Sequence, residues 1–212
     1  DAVLLGQRKA NERSSLCRMV DRSHLENVLV IADRGYEGFN LMAHIQEKGW
    51  RFLIRIQDAA NSRGIANGLD LPNAKEFDLS VDLSLTTKQT NAVKMLAKNR
   101  NLYKILTNGR DFDYLPSTNR KHDQTVFYKL PFRIVRFRIA DGVYETLVTN
   151  LDRRSFPASE LKHLYHMRWG IETSFRELKH TVGLLHFHAK KVEYIYQEVF
   201  ARLIMYNFTE LV

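Results

Sequence analysis

The apolar residues of this chain fall into three textures, and the change from one to the next divides it. In residues 11–22 the apolar positions Leu16, Met19 and Val20 recur at helical spacing among mixed charges, which predicts a short helix. The run Val28, Leu29, Val30, Ile31, Ala32 has no polar interruption, the pattern of a strand covered on both faces. It stops at Asp33, Arg34, Gly35 and Tyr36, where the glycine permits a sharp turn. Phe39, Met42, Ala43 and Ile45 predict a second helix ending near Gly49, and residues 52–56 a second strand. Strand, helix and strand in this order imply a parallel pair joined by a right-handed crossover.

Beyond Gln57 the texture changes. Residues 61–73 are rich in Gly, Asn and Asp and read as loop. Phe77, Leu79, Val81, Leu83 and Leu85 then alternate strictly with polar residues, the period of a half-exposed strand. Two strand-like runs, 133–139 and 144–150, meet at Asp141-Gly142, a hairpin signal. The expected organisation is an α/β core in two parts, residues 1–57 and 151–212, interrupted by a β-rich insertion over residues 58–150. The opening residues read as a strand and the close, at Leu211 and Val212, as mid-helix. Both ends are therefore expected to be cuts in a longer protein.

The third texture begins at Pro157, a residue suited to the first turn of a helix. Leu164, Met167, Ile171, Phe175, Leu178 and Val182 follow at spacings of three and four; at 100° per residue they share a sector about 80° wide, the expected core face of one long helix. Tyr165, Arg168, Glu172 and Lys179 fall within about 60° of one another beside it. This stripe is either an exposed face with an ordinary i,i+4 ion pair or a functional edge. Gly170 favours the second reading, because a glycine inside a helix is costly and often marks the close approach of a backbone or ligand. A second helix is expected from about residue 191, with Val192, Ile195, Val199, Leu203 and Tyr206 on one face.

Charge and composition narrow the chemistry. Thirty-two Lys and Arg against 24 Asp and Glu give a net charge of +8, which favours a polyanionic partner, nucleic acid or an anionic membrane surface. No stretch approaches the roughly 20 apolar residues of a membrane span, and no signal peptide is visible. Cys17 stands alone, which excludes an internal disulfide or a Cys-rich zinc site and fits a reducing compartment such as the cytoplasm. Asp33 closes the most apolar strand, at the edge where open α/β sheets bind ligands. Its alternative is a turn-forming Asp before Gly. Together with Glu172 it could share divalent cations; Mg²⁺ suits such oxygen donors, and two ions could assist phosphodiester chemistry.

Asp33-Arg34-Gly35-Tyr36 after an apolar strand, followed by Tyr165, Arg168, Glu172 and Lys179 with the segment 183–191, resembles the bacterial insertion-sequence DDE transposases that carry a Tyr-Arg-Glu-Lys signature. The likeness extends over nearly the whole chain. It implies an RNase H-like core and Mg²⁺-dependent cutting and joining of transposon ends. By position, Asp33 corresponds to the second Asp of the triad and Glu172 to its Glu. Tyr165, Arg168 and Lys179 correspond to residues that grip DNA near the scissile phosphate, and Trp169 offers a stacking surface or a packing one. Pairing two element ends implies a homodimer on DNA. The first Asp of the family belongs on an earlier strand, and Asp1 is too near Asp33 to fill that place. The first Asp is therefore expected to be missing, so that this chain alone would be inactive. The alternatives are a non-catalytic DNA-binding remnant and a metal-dependent nuclease or phosphatase unrelated to transposition. His186 and His188 read as structural residues on a strand. Arg133, Arg136 and Arg138 either track DNA or form a solvated basic face.

Overall fold

A computed structural model describes residues 11–58, 64–107, 112–116, 124–184 and 186–209, excepting the side chains of Ile171 and Phe175. The opening strand, Asp1 and the helical end at Leu211 and Val212 lie outside the described residues. The chain divides into two compact units, Asp1–Lys162 and His163–Val212.

The first unit is built on a six-stranded mixed sheet. Helix α1 (Glu12–Arg22) is started by Asn11, whose side chain accepts the Ser14 N–H at 3.1 Å, and its charges, Glu12 first and Arg22 last, complement the helix dipole. Strand β1 (Leu29–Ala32), helix α2 (Phe39–Glu47) and strand β2 (Arg51–Ile56) form the expected unit, with β1 and β2 parallel from Leu29↔Arg51 to Ala32↔Ile54. Gly49 takes φ +70°, the left-handed turn that ends α2. Strand β3 (Phe77–Thr86), helix α3 (Asn91–Leu96) and strand β4 (Tyr103–Ile105) follow. Strands β5 (Tyr128–Ala140) and β6 (Val143–Thr149) then make the hairpin, turning at Gly142 with φ +68°. Helix α4 (Ala158–His166) starts in this unit.

The spatial order is β1-β2-β6-β5-β3-β4. Strand β6 pairs antiparallel with β2, from Leu53↔Thr149 to Ile56↔Thr146, so the strands of residues 58–150 and those of the β1-α2-β2 unit share one sheet. On one face Phe52, Ile54, Ile56, Val81, Leu83, Leu85, Phe132, Ile134 and Val148 pack with Cys17, Val20, Leu41, Met42 and Ile45 of α1 and α2. In β3, Val81, Leu83 and Leu85 are buried and Ser80 and Asp82 exposed, as the period of two requires. Strand β1 departs from expectation. Leu29, Val30 and Ile31 are only partly buried, because β1 has a sheet neighbour on one side alone among the described residues.

In the second unit the single long helix expected from Pro157 is two. Helix α4 ends at His166, and helix α5 (Trp169–His180) begins after a tight turn at Met167 and Arg168. Across that turn the N–H groups of Arg168 and Gly170 bond to the carbonyls three residues back, Tyr165 at 3.1 Å and Met167 at 3.1 Å. Three-residue turns rotate about 120° per residue instead of 100°, which displaces the apolar stripe. Met167, expected in the core, is 61% exposed. Helix α6 (Val192–Thr209) buries Val199, with Ile195, Leu203 and Tyr206 partly covered and Val192 exposed. The Tyr206 hydroxyl reaches Glu177 of α5 at 3.4 Å.

Candidate active site

Asp33 follows the last residue of β1, where its Oδ1 accepts the Arg34 N–H at 2.6 Å and caps the 3₁₀ turn Arg34–Tyr36. The same oxygen meets Arg55 Nε at 3.0 Å. Arg55 lies on β2, one step beyond the last β1–β2 pair, and its Nη1 reaches Glu145 Oε1 of β6 at 3.3 Å. Three neighbouring strand segments thus contribute to an Asp33–Arg55–Glu145 bridge. The turn after Asp33 is fixed by Glu37, which is buried and accepts the N–H groups of Gln57 at 2.9 Å and of Ile65. A cleft of about 870 Å³ adjoins this turn, lined by Asn11, Arg13, Gly35, Asn40 and Asp113. Arg13 Nε donates to the Gly35 carbonyl at 2.7 Å and also lines a second cleft with Arg34 and Glu37.

The second unit carries the other candidates. Tyr165 is buried on α4. Arg168 sits in the turn between the helices, its guanidinium carbon 5.5 Å from the Tyr165 ring and 5.6 Å from the Trp169 ring. Its Nη2 meets Glu172 Oε1 at 3.4 Å, and its buried Nε has no hydrogen-bond partner among the described residues. The Glu172 side chain, in the first turn of α5, is 52% exposed, and Trp169 is 54% exposed. Lys179 stands exposed in the last turn. Tyr165, Arg168, Trp169 and Glu172 are therefore gathered at one helix junction, with Lys179 about two turns along. Gly170 is in α5, and a Cβ there would meet no atom within 4 Å. No other part of the described chain crowds that glycine.

Asp33 belongs to the first unit and Glu172 to the second. Both are carboxylates with part of their surface open to solvent, which is the donor chemistry a hard divalent cation takes. The guanidinium against Asp33 is a resident positive charge, so the residues fit an oxygen-bound cation. Among the described residues no three His, Cys, Asp or Glu side chains form a metal-sized cluster.

Other candidates change meaning in the structure. Arg133 is buried and forks onto Asp78, Nε to Oδ1 at 3.2 Å and Nη2 to Oδ2 at 2.7 Å, with Nη1 on the Leu151 and Phe156 carbonyls. Arg136 forks onto Asp58 at 2.7 and 3.0 Å and stacks on Tyr144. Of the three hairpin arginines, Arg138 alone is more than half exposed, and it pairs with Asp141. His186 and His188 are exposed in a loop and not on a strand. That loop is stapled to α6: Glu198 accepts the N–H groups of His188 at 3.1 Å and Ala189 at 2.7 Å, and Arg202 donates to the Gly183 and His186 carbonyls. These bonds hold the Glu198 carboxyl below the usual range.

Sequence reasoning missed Arg55, Glu145 and Glu37. It also missed His44, whose ring joins Asp21 of α1 at 2.7 Å and Asp113 at 2.9 Å. Among the described residues no helix is long and apolar enough to cross a membrane.

Residues 2–208 match the family described as Transposase DDE domain. A 67-residue segment is 37% identical to the transposase InsG for insertion sequence element IS4 of Escherichia coli (strain K12), spanning 31% of this chain and 15% of that protein. With a mixed sheet flanked by helices, as in an RNase H-like core, and a match over nearly its full length, this chain belongs to the Transposase DDE domain family.

Proposed function

We propose that this chain is the catalytic part of a DNA transposase that cleaves insertion-sequence ends and joins them to target DNA. The family match over residues 2–208 is the observation that carries the reading. In it, residues 58–150 are an insertion between the parts of the core that bear Asp33 and Glu172. Asp33 and Glu172 are the carboxylates that would hold Mg²⁺, which would supply positive charge to activate an attacking hydroxyl and stabilise the leaving oxygen of a phosphodiester.

The chain's own residues grip the DNA around that chemistry. Arg168 lies against two rings and keeps one N–H without a partner among the described residues, so a phosphate oxygen would find a donor already positioned. Glu172, four residues on, is tied to it by one long bond that a phosphate or a cation would loosen. Lys179 adds a point charge further along the strand. The exposed Trp169 ring can stack on a displaced base, and Tyr165 supports the Arg168 guanidinium from beneath. Two copies act together in the bacterial cytoplasm, one for each element end.

Replacing Glu172 with Gln keeps its shape and removes its charge. In the full-length protein strand cleavage falls below detection while binding to transposon-end DNA, followed by gel shift, stays within about threefold. Cleavage at the ordinary rate by this variant would remove Glu172 from the metal site.

A further inference from the structure

Arg55 has two carboxylates and one guanidinium with which to satisfy them. Its two contacts are not equivalent. The Glu145 side chain is 14% exposed, whereas Asp33 is 42% exposed. A carboxylate as enclosed as Glu145 needs its cation, since a buried charge left unpaired is strongly unfavourable. An exposed one such as Asp33 does not, because water screens it and ion pairs of this kind are weak. Arginine does not release its proton, so the positive charge of the bridge is permanent. Arg55 is thus bound to stay with Glu145 and is optional at Asp33.

The geometry points to Arg55 as a positioning residue for Asp33: its guanidinium holds the carboxylate while no divalent cation is bound, and withdraws onto Glu145 when one arrives. The inference rests on the reading of Asp33 as a metal-holding carboxylate. Strand pairing places the switch well. Arg55 follows Ile54, the partner of Ala32, and is itself opposite Leu147 of β6, two residues from Glu145 on the same face. Only the side chain has to pivot, by exchanging a contact of 3.0 Å at Asp33 for a closer one at Glu145. The bridge therefore sets Asp33 at the strand end and prevents it from turning away before the cation is present, and it makes cation affinity depend on a residue that is not a ligand.

Mn²⁺ binding to the protein without DNA, counted by electron paramagnetic resonance of the free ion, tests this without reference to catalysis. Asp33→Asn removes the Mn²⁺ site; unchanged binding in that variant would overturn the metal reading of Asp33 itself, and the switch with it. Given loss in Asp33→Asn, Arg55→Gln binds Mn²⁺ about fivefold tighter, the scale on which a half-exposed ion pair competes. Glu145→Gln binds about fivefold more weakly, because Arg55 then loses the carboxylate onto which it withdraws. The double variant Arg55→Gln/Glu145→Gln binds as tightly as Arg55→Gln. If Glu145→Gln instead weakens binding by the same factor with and without Arg55, Glu145 acts only through its field and the switch is refuted. Weaker or unchanged binding in Arg55→Gln refutes it as well. Should Arg55→Gln fail to fold around an unpaired Glu145, the double variant leaves no unpaired charge, and its affinity set against that of Glu145→Gln decides the same question.

Discussion

Arg133 and Arg136 of the sheet unit and Arg168 of the helical unit are held in opposite ways. In the sheet unit Arg133 is buried and places its N–H groups on Asp78 and two backbone carbonyls, and Arg136 forks onto Asp58 while resting on Tyr144. In the helical unit Arg168 is nearly as enclosed, with a side chain 12% exposed, yet among the described residues it has one ion pair at 3.4 Å and a buried Nε without a partner. The first kind of arginine completes the fold. The second is held in place by aromatic rings and is left under-satisfied, as a group kept ready for an outside anion would be. A basic sequence run does not distinguish the two; the partners do.

The sharpest way to break this contrast is to remove one arginine of each kind. Arg133→Ala leaves Asp78 with Arg153 alone and strands two carbonyls, and destabilises the fold by about 2 kcal/mol in urea unfolding. Arg168→Ala deletes one long, half-exposed pair and costs less than about 1 kcal/mol, while lowering affinity for DNA ends. Equal stability losses would show that Arg168 is structural as well.

A smaller effect follows from pH in the sheet unit, between pH 6 and pH 9. His44 joins α2 to Asp21 of α1 and to Asp113, with Tyr114 edge-on to its ring at 4.9 Å. Burial pulls its pKa down, but the hydrogen bonds and charge of the two carboxylates outweigh burial and leave it raised above 6.5. Asp113 is lowered, first by its bond from Asn40 and then by the one from His44. With a raised pKa in the folded state, the His44 contribution is complete below about pH 6.5 and fades as pH rises through the folded value. The Asp113 contribution runs the other way, complete above its unfolded value and lost as pH falls through the folded one. The melting temperature should therefore be higher at pH 6 than at pH 9, and His44→Gln should reduce the difference by about 2 °C. A difference unaffected by this substitution would mean that other groups set it.

What could be read in the sequence follows from the range of the interaction responsible. The β1-α2-β2 unit, the alternating β3 and the Asp141-Gly142 hairpin rest on local periodicity and turn chemistry, and all three are present. The break at Met167 escaped because spacings of three and four suit one long helix or two equally well. Asp33 and Glu172 stand out by their positions at a strand end and on a helix. Arg55 and Glu145 do not, being 90 positions apart and joined only by sheet order. Glu37 is hidden for the same reason: its partners lie 20 and 28 residues on, and nothing local announces that a carboxylate will be buried on backbone N–H groups.

Gly170 gives the smallest effect and the finest test of the contrast. In the sheet unit Gly64 is required by the fold, since it takes φ +87° and an added Cβ would strike the Glu37 carboxylate. Gly170 has neither reason: it lies in α5 with open space where a Cβ would be. By helix propensity alone, Gly170→Ala should stabilise the protein by up to about 1 kcal/mol. If DNA comes close beside Arg168 and Glu172, it is this glycine that leaves it room. The variant should therefore melt at a higher temperature and bind transposon-end DNA more weakly. Tighter or unchanged DNA binding, together with the higher melting temperature, would show that the glycine spares no room for a ligand, and would leave the case for this helix resting on the under-satisfied arginine alone.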